Sequence, residues 1–163
     1  MLEGKTHELS SGKAAFFKYG ELSRYILAKE ITFDLLITIY NVNTMECVAL
    51  RAMLPFEKGD IAKLKTLLSK FTKPNLEVRA IGLQNGAKES AVNIGEVMSA
   101  CKASLIELDL FGSAKRNIAI DMKTGMSYDV LLLDRIYKPG ELANDVAQKD
   151  YLARASKLDF VKV

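Results

Sequence analysis

The chain of 163 residues contains few of the residue types that build metal or redox sites. It has two cysteines, Cys47 and Cys101, and a single histidine, His7. Neither cysteine has a partner at CxxC spacing, so the pattern excludes a disulfide framework and indicates two free thiols in a reducing compartment. Two isolated cysteines and one histidine also make no cluster of metal ligands. We therefore expect no metal site, no cofactor and a cytoplasmic location.

Long apolar runs and blocks of one charge sign are missing as well. The best apolar run, Leu35–Ile39, is interrupted by Thr38 and is far too short to cross a membrane. The N-terminal segment Met1–His7 lacks the apolar core of a signal peptide. The net charge of +3 comes from 23 basic and 20 acidic residues spread along the chain. We expect neither membrane insertion nor nucleic-acid binding.

Hydrophobic residues make up 49% of the chain and charged residues 26%, as in an ordinary globular domain of this length. The strongest local pattern is a hairpin. Leu35–Tyr40 is rich in β-branched and aromatic residues, and Glu46–Leu54 returns after a polar turn and ends at Pro55. Asp60 is a suitable N-cap for a helix that extends to about Phe71.

The remaining patterns predict a mixed fold. The first twelve residues are polar and expected to be loose, and Gln84–Val92 is expected to be a polar loop. Residues 139–163 are expected to form a C-terminal helix and a possible edge strand. Further strands are predicted at 14–19, 25–28, 76–83, 105–111, 118–122 and 126–133, and a further helix is predicted at 93–103. We predict one domain of the α+β class, a layered α/β/β sandwich with mainly antiparallel strands and two to three helices. The apolar residues that alternate in Leu105–Phe111 and Ile118–Met122 should point into the core.

An ordered set of short motifs resembles the CheD family, the chemoreceptor glutamine deamidases of bacterial chemotaxis. Met53-Leu54-Pro55 matches the end of the family's His-x-Met-Leu-Pro signature. Further landmarks follow in the family's order: Asn85-Gly86-Ala87, Asn93-Ile94-Gly95, Phe111-Gly112, Arg116 and Thr124-Gly125. The resemblance covers about Gly12 to Leu133. It implies a CheD-like fold with a pocket lined by Asn85, Gly86, Phe111, Gly112 and Arg116.

The family's catalytic residues are replaced in this chain. Arg51 stands at the position of the family's histidine, and an ungapped count along the hairpin places Asp34 at the position of its cysteine nucleophile. The family's catalytic threonine corresponds to Ala28, or to Thr32 after a small shift. Arginine stays charged at accessible pH and is no general base, and a carboxylate attacking an amide would give a high-energy anhydride. The resemblance therefore implies that no catalytic residue remains.

Asp34 and Arg51 nevertheless keep the charge pattern of an activated Cys–His dyad, which is often a thiolate beside an imidazolium. We hypothesise that they form a salt bridge with an N–O distance within about 4 Å, near the Asn85-Gly86 loop. The alternative is that both are solvent-exposed charges at the ends of hairpin strands.

The leading functional interpretation is a non-catalytic CheD-like module for binding or regulation. The resemblance implies that its partner is the cytoplasmic domain of a chemoreceptor or a CheC-type phosphatase. Two alternatives remain open from the sequence. One is an active protein-glutamine deamidase, and the other is an unrelated α+β binding module.

Overall fold

The centre of the fold is the predicted hairpin, formed by β4 (Leu35–Asn41) and β5 (Glu46–Ala52). The two strands pair antiparallel over their full length, with Leu35 opposite Ala52 and Asn41 opposite Glu46. Every residue of both strands is buried. A strand pair covered on both faces has little room for exposed polar residues, which explains the nearly continuous apolar sequence of β4.

The computed structural model describes residues 5–20, 24–31, 34–52, 59–71, 75–82, 87–110, 116–130 and 159–161. The other elements are β1 (Thr6–Glu8), β2 (Lys13–Lys18), β3 (Tyr25–Ile31), α1 (Asp60–Leu68), β6 (Leu76–Gly82), α2 (Ala87–Cys101), β7 (Ser104–Leu110), β8 (Arg116–Asp121), β9 (Ser127–Asp129) and β10 (Asp159–Val161).

The strands form two sheets. The larger has the order β10-β2-β5-β4-β6-β7 and the smaller has the order β1-β3-β8-β9. Five of the eight described strand pairs are antiparallel, so the predicted α+β class with mainly antiparallel strands is confirmed. The parallel pair β6–β7 is joined through α2 and forms one βαβ unit at the edge of the larger sheet.

Two hydrophobic cores give the molecule its layers. One core lies between the helices and the six-stranded sheet, where Val48 and Leu50 of β5 meet Leu64 of α1 and Val97 of α2. The other lies between the two sheets. Side chains alternate between the faces of a strand, so the six-stranded sheet supplies residues to both cores and is the middle layer of an α/β/β arrangement.

Helix α1 follows the predicted pattern, with two corrections at its ends. Its N-cap is Gly59, so Asp60 is the first helical residue rather than the cap. The helix ends at Leu68, and Phe71 lies beyond it, with its ring centroid 5.6 Å from that of Phe16 on β2. The predicted helix is therefore present, but its predicted boundaries are wrong by a few residues.

The predicted start of the second helix, Asn93, is wrong. Helix α2 begins at Ala87, so the second half of the expected loop Gln84–Val92 is helical. Alanine, lysine and glutamate have high helix propensity, but Lys88, Glu89 and Ser90 are polar and give no apolar period that would predict a helix. Among the residues of α2 whose burial is described, Ile94 and Val97 are buried and Val92 is exposed.

The N-terminal region is more ordered than predicted. Within the segment expected to be loose, Thr6–Glu8 form β1, which pairs parallel with β3. Leu9 is buried, and its backbone N–H donates to the carbonyl of Leu27. At the other end of the chain, the expected edge strand is present as β10, which pairs parallel with β2. The predicted helix before it lies outside the described residues.

The predicted burial of the alternating apolar residues is confirmed for β8 and wrong for most of those on β7. Ile118 and Ile120 of β8 are buried between the sheets. On β7, in contrast, Leu105, Ile106 and Leu108 are 39%, 51% and 54% exposed. Strand β7 is the last strand of its sheet, so no strand of the described part of the chain covers its outer side. No helix in the described ranges is long and apolar enough to span a membrane.

Candidate functional site

The predicted contact between Asp34 and Arg51 is present. Arg51 continues the alternation of Cys47 and Ala49 along β5, which directs its side chain toward the four-stranded sheet. Asp34 immediately precedes β4, next to β5. Arg51 Nε donates to Asp34 Oδ2 at 2.7 Å, and the two side chains are 5% and 0% exposed. The hypothesis of a salt bridge is confirmed, and the alternative of two solvent-exposed charges is wrong.

Arg51 also ties the N-terminal segment to this pair. Its Nη1 donates to the carbonyl oxygen of Leu9 at 3.1 Å, and its own carbonyl accepts a hydrogen bond from Gly12 N at 2.8 Å. The guanidinium thus has acceptors on two chain segments far apart in sequence. Such hydrogen bonds are needed to offset the desolvation of a buried charge.

Gly82, the last residue of β6, makes close packing possible at this point. Its φ is +121°, and a Cβ there would lie 2.6 Å from Ile31 Cγ2 and 2.8 Å from the carbonyl oxygen of Asp34. Only glycine accepts both the backbone angle and the close approach. The end of β6 is therefore pressed against the backbone of the segment that carries Asp34.

The strand register places the ends of several strands in the same row as the start of β4, next to the Asp34–Arg51 pair. Leu35 is opposite both Ala52 and Gly82, and Gly82 is opposite Leu110, so three strands end and one begins along one row. The pocket candidates Asn85, Gly86, Phe111 and Gly112, and the alternative position Thr32, lie outside the described residues. They follow or precede these strand ends in the sequence.

Ala28 is buried between the sheets and lies where the β3–β8 pairing becomes irregular. The register shifts between Ala28 and Ile31, and Glu30 has a φ of 56°. The backbone N–H of Glu30 donates to Asn117 Oδ1 at 2.8 Å. A positive φ at a residue other than glycine is uncommon and costs free energy, so this bulge needs support from its surroundings.

Arg116, the remaining pocket candidate, is part of a link between the sheets. Its Nη1 donates to Asp109 Oδ2 on β7 at 2.6 Å, and its Nη2 donates to Asp129 Oδ2 on β9 at 3.1 Å. The hydrogen bond with Asp129, reinforced by Asp109, raises the pKa of the guanidinium. Arg116 therefore already has two carboxylate partners, one on each sheet.

Both thiols are buried, which disfavours their thiolate forms. Cys47 is fully buried, and burial raises the pKa of its thiol to about 12. Burial also raises the pKa of Cys101, whose Sγ donates to the carbonyl of Val97 at 3.1 Å. Both cysteines are packing residues.

The single histidine of the chain, His7, also has a packing contact. Its ring meets the ring of Phe17 edge-on, with 5.9 Å between the two ring centroids.

Two contributors to this region were not predicted from the sequence. The carbonyl of Leu9 is a backbone group, so no side-chain pattern indicates that it accepts from Arg51. Gly82 had a detectable signal, because a glycine at the end of an apolar strand often marks a close approach.

Within the described residues, no group of three or more His, Cys, Asp or Glu side chains could hold a metal ion.

A scan of protein-family models matched none of them to this chain, and a search of curated proteins found no matching sequence.

Proposed function

We propose that this chain is a CheD-like module that has lost deamidase chemistry and acts by binding. Its partner would be the cytoplasmic domain of a chemoreceptor or a CheC-type phosphatase. The proposal joins the resemblance of the ordered motifs to the site described above.

The observation that carries the proposal is the buried ion pair between Arg51 and Asp34. These are the two positions that the resemblance assigns to the catalytic histidine and cysteine, and their side chains are 2.7 Å apart between the sheets. That geometry is what a dyad needs. The pair preserves the contact and the opposite charges while supplying neither a thiolate nor a base of suitable pKa.

The surroundings of the pair further support a role without catalysis. Deamidation of a glutamine side chain needs a nucleophile that reaches the amide carbon and a base that transfers its proton. The pKa of Cys47 is raised to about 12 by burial, which leaves the thiol protonated at neutral pH. Arg51 donates to Asp34 and to the carbonyl of Leu9, and an arginine side chain is no general base.

The decisive experiment measures binding and chemistry on the same sample. Calorimetry of the purified chain with a chemoreceptor cytoplasmic fragment, and separately with a CheC-type phosphatase, should show saturable binding to one of them. Incubation with the receptor fragment should release no ammonia above a sample without the chain. Binding to neither protein would contradict the proposed partners, and ammonia release would contradict the loss of chemistry.

A variant that carries the family's cysteine and histidine at positions 34 and 51 tests whether the site still has the geometry of a catalytic dyad. The double substitution Asp34→Cys with Arg51→His places the family's two reactive residues at a site where the present side chains touch. We expect the thiol introduced by Asp34→Cys to have a lower pKa than the buried thiol of Cys47, since an imidazolium beside it stabilises its thiolate. The ultraviolet absorbance of the thiolate as a function of pH measures that pKa without a reagent that must enter the site. The same measurement is made with Cys47→Ser and Cys101→Ser added to the restored background, where the introduced thiol is the sole one in the chain and the absorbance change belongs to it.

A further inference from the structure

Among the described strands, β7 is one of the two edge strands of the six-stranded sheet, and β10 is the other. In the described part of the chain the one hydrogen-bonded neighbour of β7 is β6, so the outer backbone groups of Ser104–Leu110 face no strand. The pairing with β6 is irregular near Ile106 and regular from Glu107 to Leu110. An edge strand with unpaired N–H and C=O groups is a template for a further strand.

The same edge of the sandwich carries most of the exposed apolar side chains. Five of the seven large hydrophobic residues that are exposed in the described ranges lie on β7, on β9 or next to β9: Leu105, Ile106, Leu108, Met126 and Tyr128. Strands β7 and β9 are the last strands of their sheets and meet through a hydrogen bond from Ser127 to Glu107. Clustered apolar exposure on one side of a domain is typical of an interaction surface.

The side of β7 that faces the other sheet is acidic. Glu107 contacts Arg79 at 3.8 Å, and Asp109 contacts Arg116 at 2.6 Å. The network of ion pairs at this edge contains four carboxylates and two guanidinium groups, Glu77, Glu107, Asp109 and Asp129 against Arg79 and Arg116. The negative charges of this network are therefore only half compensated by its own cations.

We infer that β7 binds an extended polypeptide segment in which basic and apolar residues alternate. The segment would pair with Glu107–Leu110 as a seventh strand of the larger sheet. Its basic residues would lie on the side of Glu107 and Asp109, and its apolar residues on the side of Leu108, because side chains of paired strands project to the same face. This inference is independent of the CheD resemblance.

The charges also decide against a second copy of this chain as the occupant. Pairing two β7 strands would bring Glu107 and Asp109 of one copy close to the same carboxylates of the other. Like charges on neighbouring strands are destabilising. The acidic side of β7 thus disfavours self-association and favours a basic partner, which is how unwanted pairings of an edge strand are avoided.

The test uses the full chain, isotopically labelled, and a short capped peptide of alternating valine and lysine. Titration followed by amide chemical shifts should show saturable changes centred on Glu107–Leu110. Two control peptides define the specificity. One has the same composition with its valines and lysines in separate blocks, and the other alternates valine with glutamate. Both should bind at least about tenfold more weakly than the alternating basic peptide.

A matched pair of variants tests the location. Leu108→Lys places a positive charge on the exposed apolar side of β7, and Val42→Lys adds the same charge at a turn residue that is 37% exposed. Leu108→Lys should weaken peptide binding by about tenfold, and Val42→Lys should leave it within about twofold of the parent. Equal effects of the two substitutions would show that only overall charge matters and would overturn the inference.

Other outcomes also overturn it. They are the absence of any binding, equal binding of the block peptide, preference for the glutamate peptide, and shifts centred elsewhere. Concentration-dependent dimerisation that Leu108→Lys abolishes would assign the edge to a second copy instead.

Discussion

Replacing Asp34 by alanine should be one of the most destabilising single changes in this protein. The substitution removes the carboxylate that accepts from Arg51 Nε at 2.7 Å and leaves a guanidinium whose side chain is 5% exposed. Removing one partner of a buried pair costs about 3–5 kcal/mol, because an uncompensated charge stays buried. Arg51 keeps its hydrogen bond to the carbonyl of Leu9, so we expect a loss near the lower end, about 3 kcal/mol.

The exposed pair of Lys29 and Glu8 is a matched control. Its N–O distance is also 2.7 Å, but its side chains are 39% and 51% exposed. Glu8→Ala should cost less than about 1 kcal/mol, because solvent screens an exposed pair. Urea denaturation of the parent and both variants gives the two free energies of unfolding, and an unchanged slope shows that the comparison is valid.

A double variant separates the cost of a stranded charge from the value of the pair. With Asp34→Leu and Arg51→Met together, no charge remains buried at this site. Apolar replacement of a buried pair is often close to neutral, so the double variant should regain much of the stability lost in Asp34→Ala. A loss in Asp34→Ala as small as that of Glu8→Ala would refute the reasoning, because it would mean that solvent reaches Arg51.

Three further predictions follow from the packing and the pKa shifts. Gly82→Ala should destabilise the fold by about 2 kcal/mol or more in urea denaturation, because its Cβ would meet Ile31 and the Asp34 carbonyl and its φ is positive. Cys47 should resist a thiol reagent at pH 8 in the folded chain and react after unfolding; labelling of the native chain as fast as of the denatured chain would contradict its burial. The free energy of unfolding should fall as pH rises from about 9 to 12. Burial raises the pKa of Cys47 and of Tyr40 to about 12, so the unfolded state loses these protons at lower pH than the folded state does. Urea denaturation at several pH values checks this, and Tyr40→Phe should make the decline above about pH 10 less steep.

The local sequence predicted a helix or strand correctly wherever the residues of that element alone favour its conformation. The β-branched and aromatic run of β4 predicts a strand in any context, and the polar turn with the apolar return makes the hairpin. The period of Leu64 and Leu68 predicts the buried face of α1. For the same reason, the alternation of Ile118 and Ile120 identifies buried positions on β8. The α+β class follows from these elements and their order.

Sequence patterns did not predict structure correctly where burial or strand formation depends on the position of an element in the fold. Strand β7 alternates as regularly as β8, yet Leu105 and Leu108 are exposed because β7 is an edge strand. Thr6–Glu8 has no strand pattern of its own and is a strand because β3 offers it a partner. The start of α2 was missed because its first turns are polar in sequence and helical in structure.

The candidate site divides in the same way. The sequence alone determined that Asp34 and Arg51 carry opposite charges, one just before the first strand of a hairpin and one near the end of its second strand. It also determined that neither side chain can act as a thiolate or a neutral base. Only the tertiary structure decided that the two side chains are buried, because burial requires the second sheet above them, the carbonyl of Leu9 beside Arg51 and the close approach of Gly82 to Asp34. A charge pair at a strand end is exposed or buried according to what packs against it, and that depends on contacts between segments far apart in the chain.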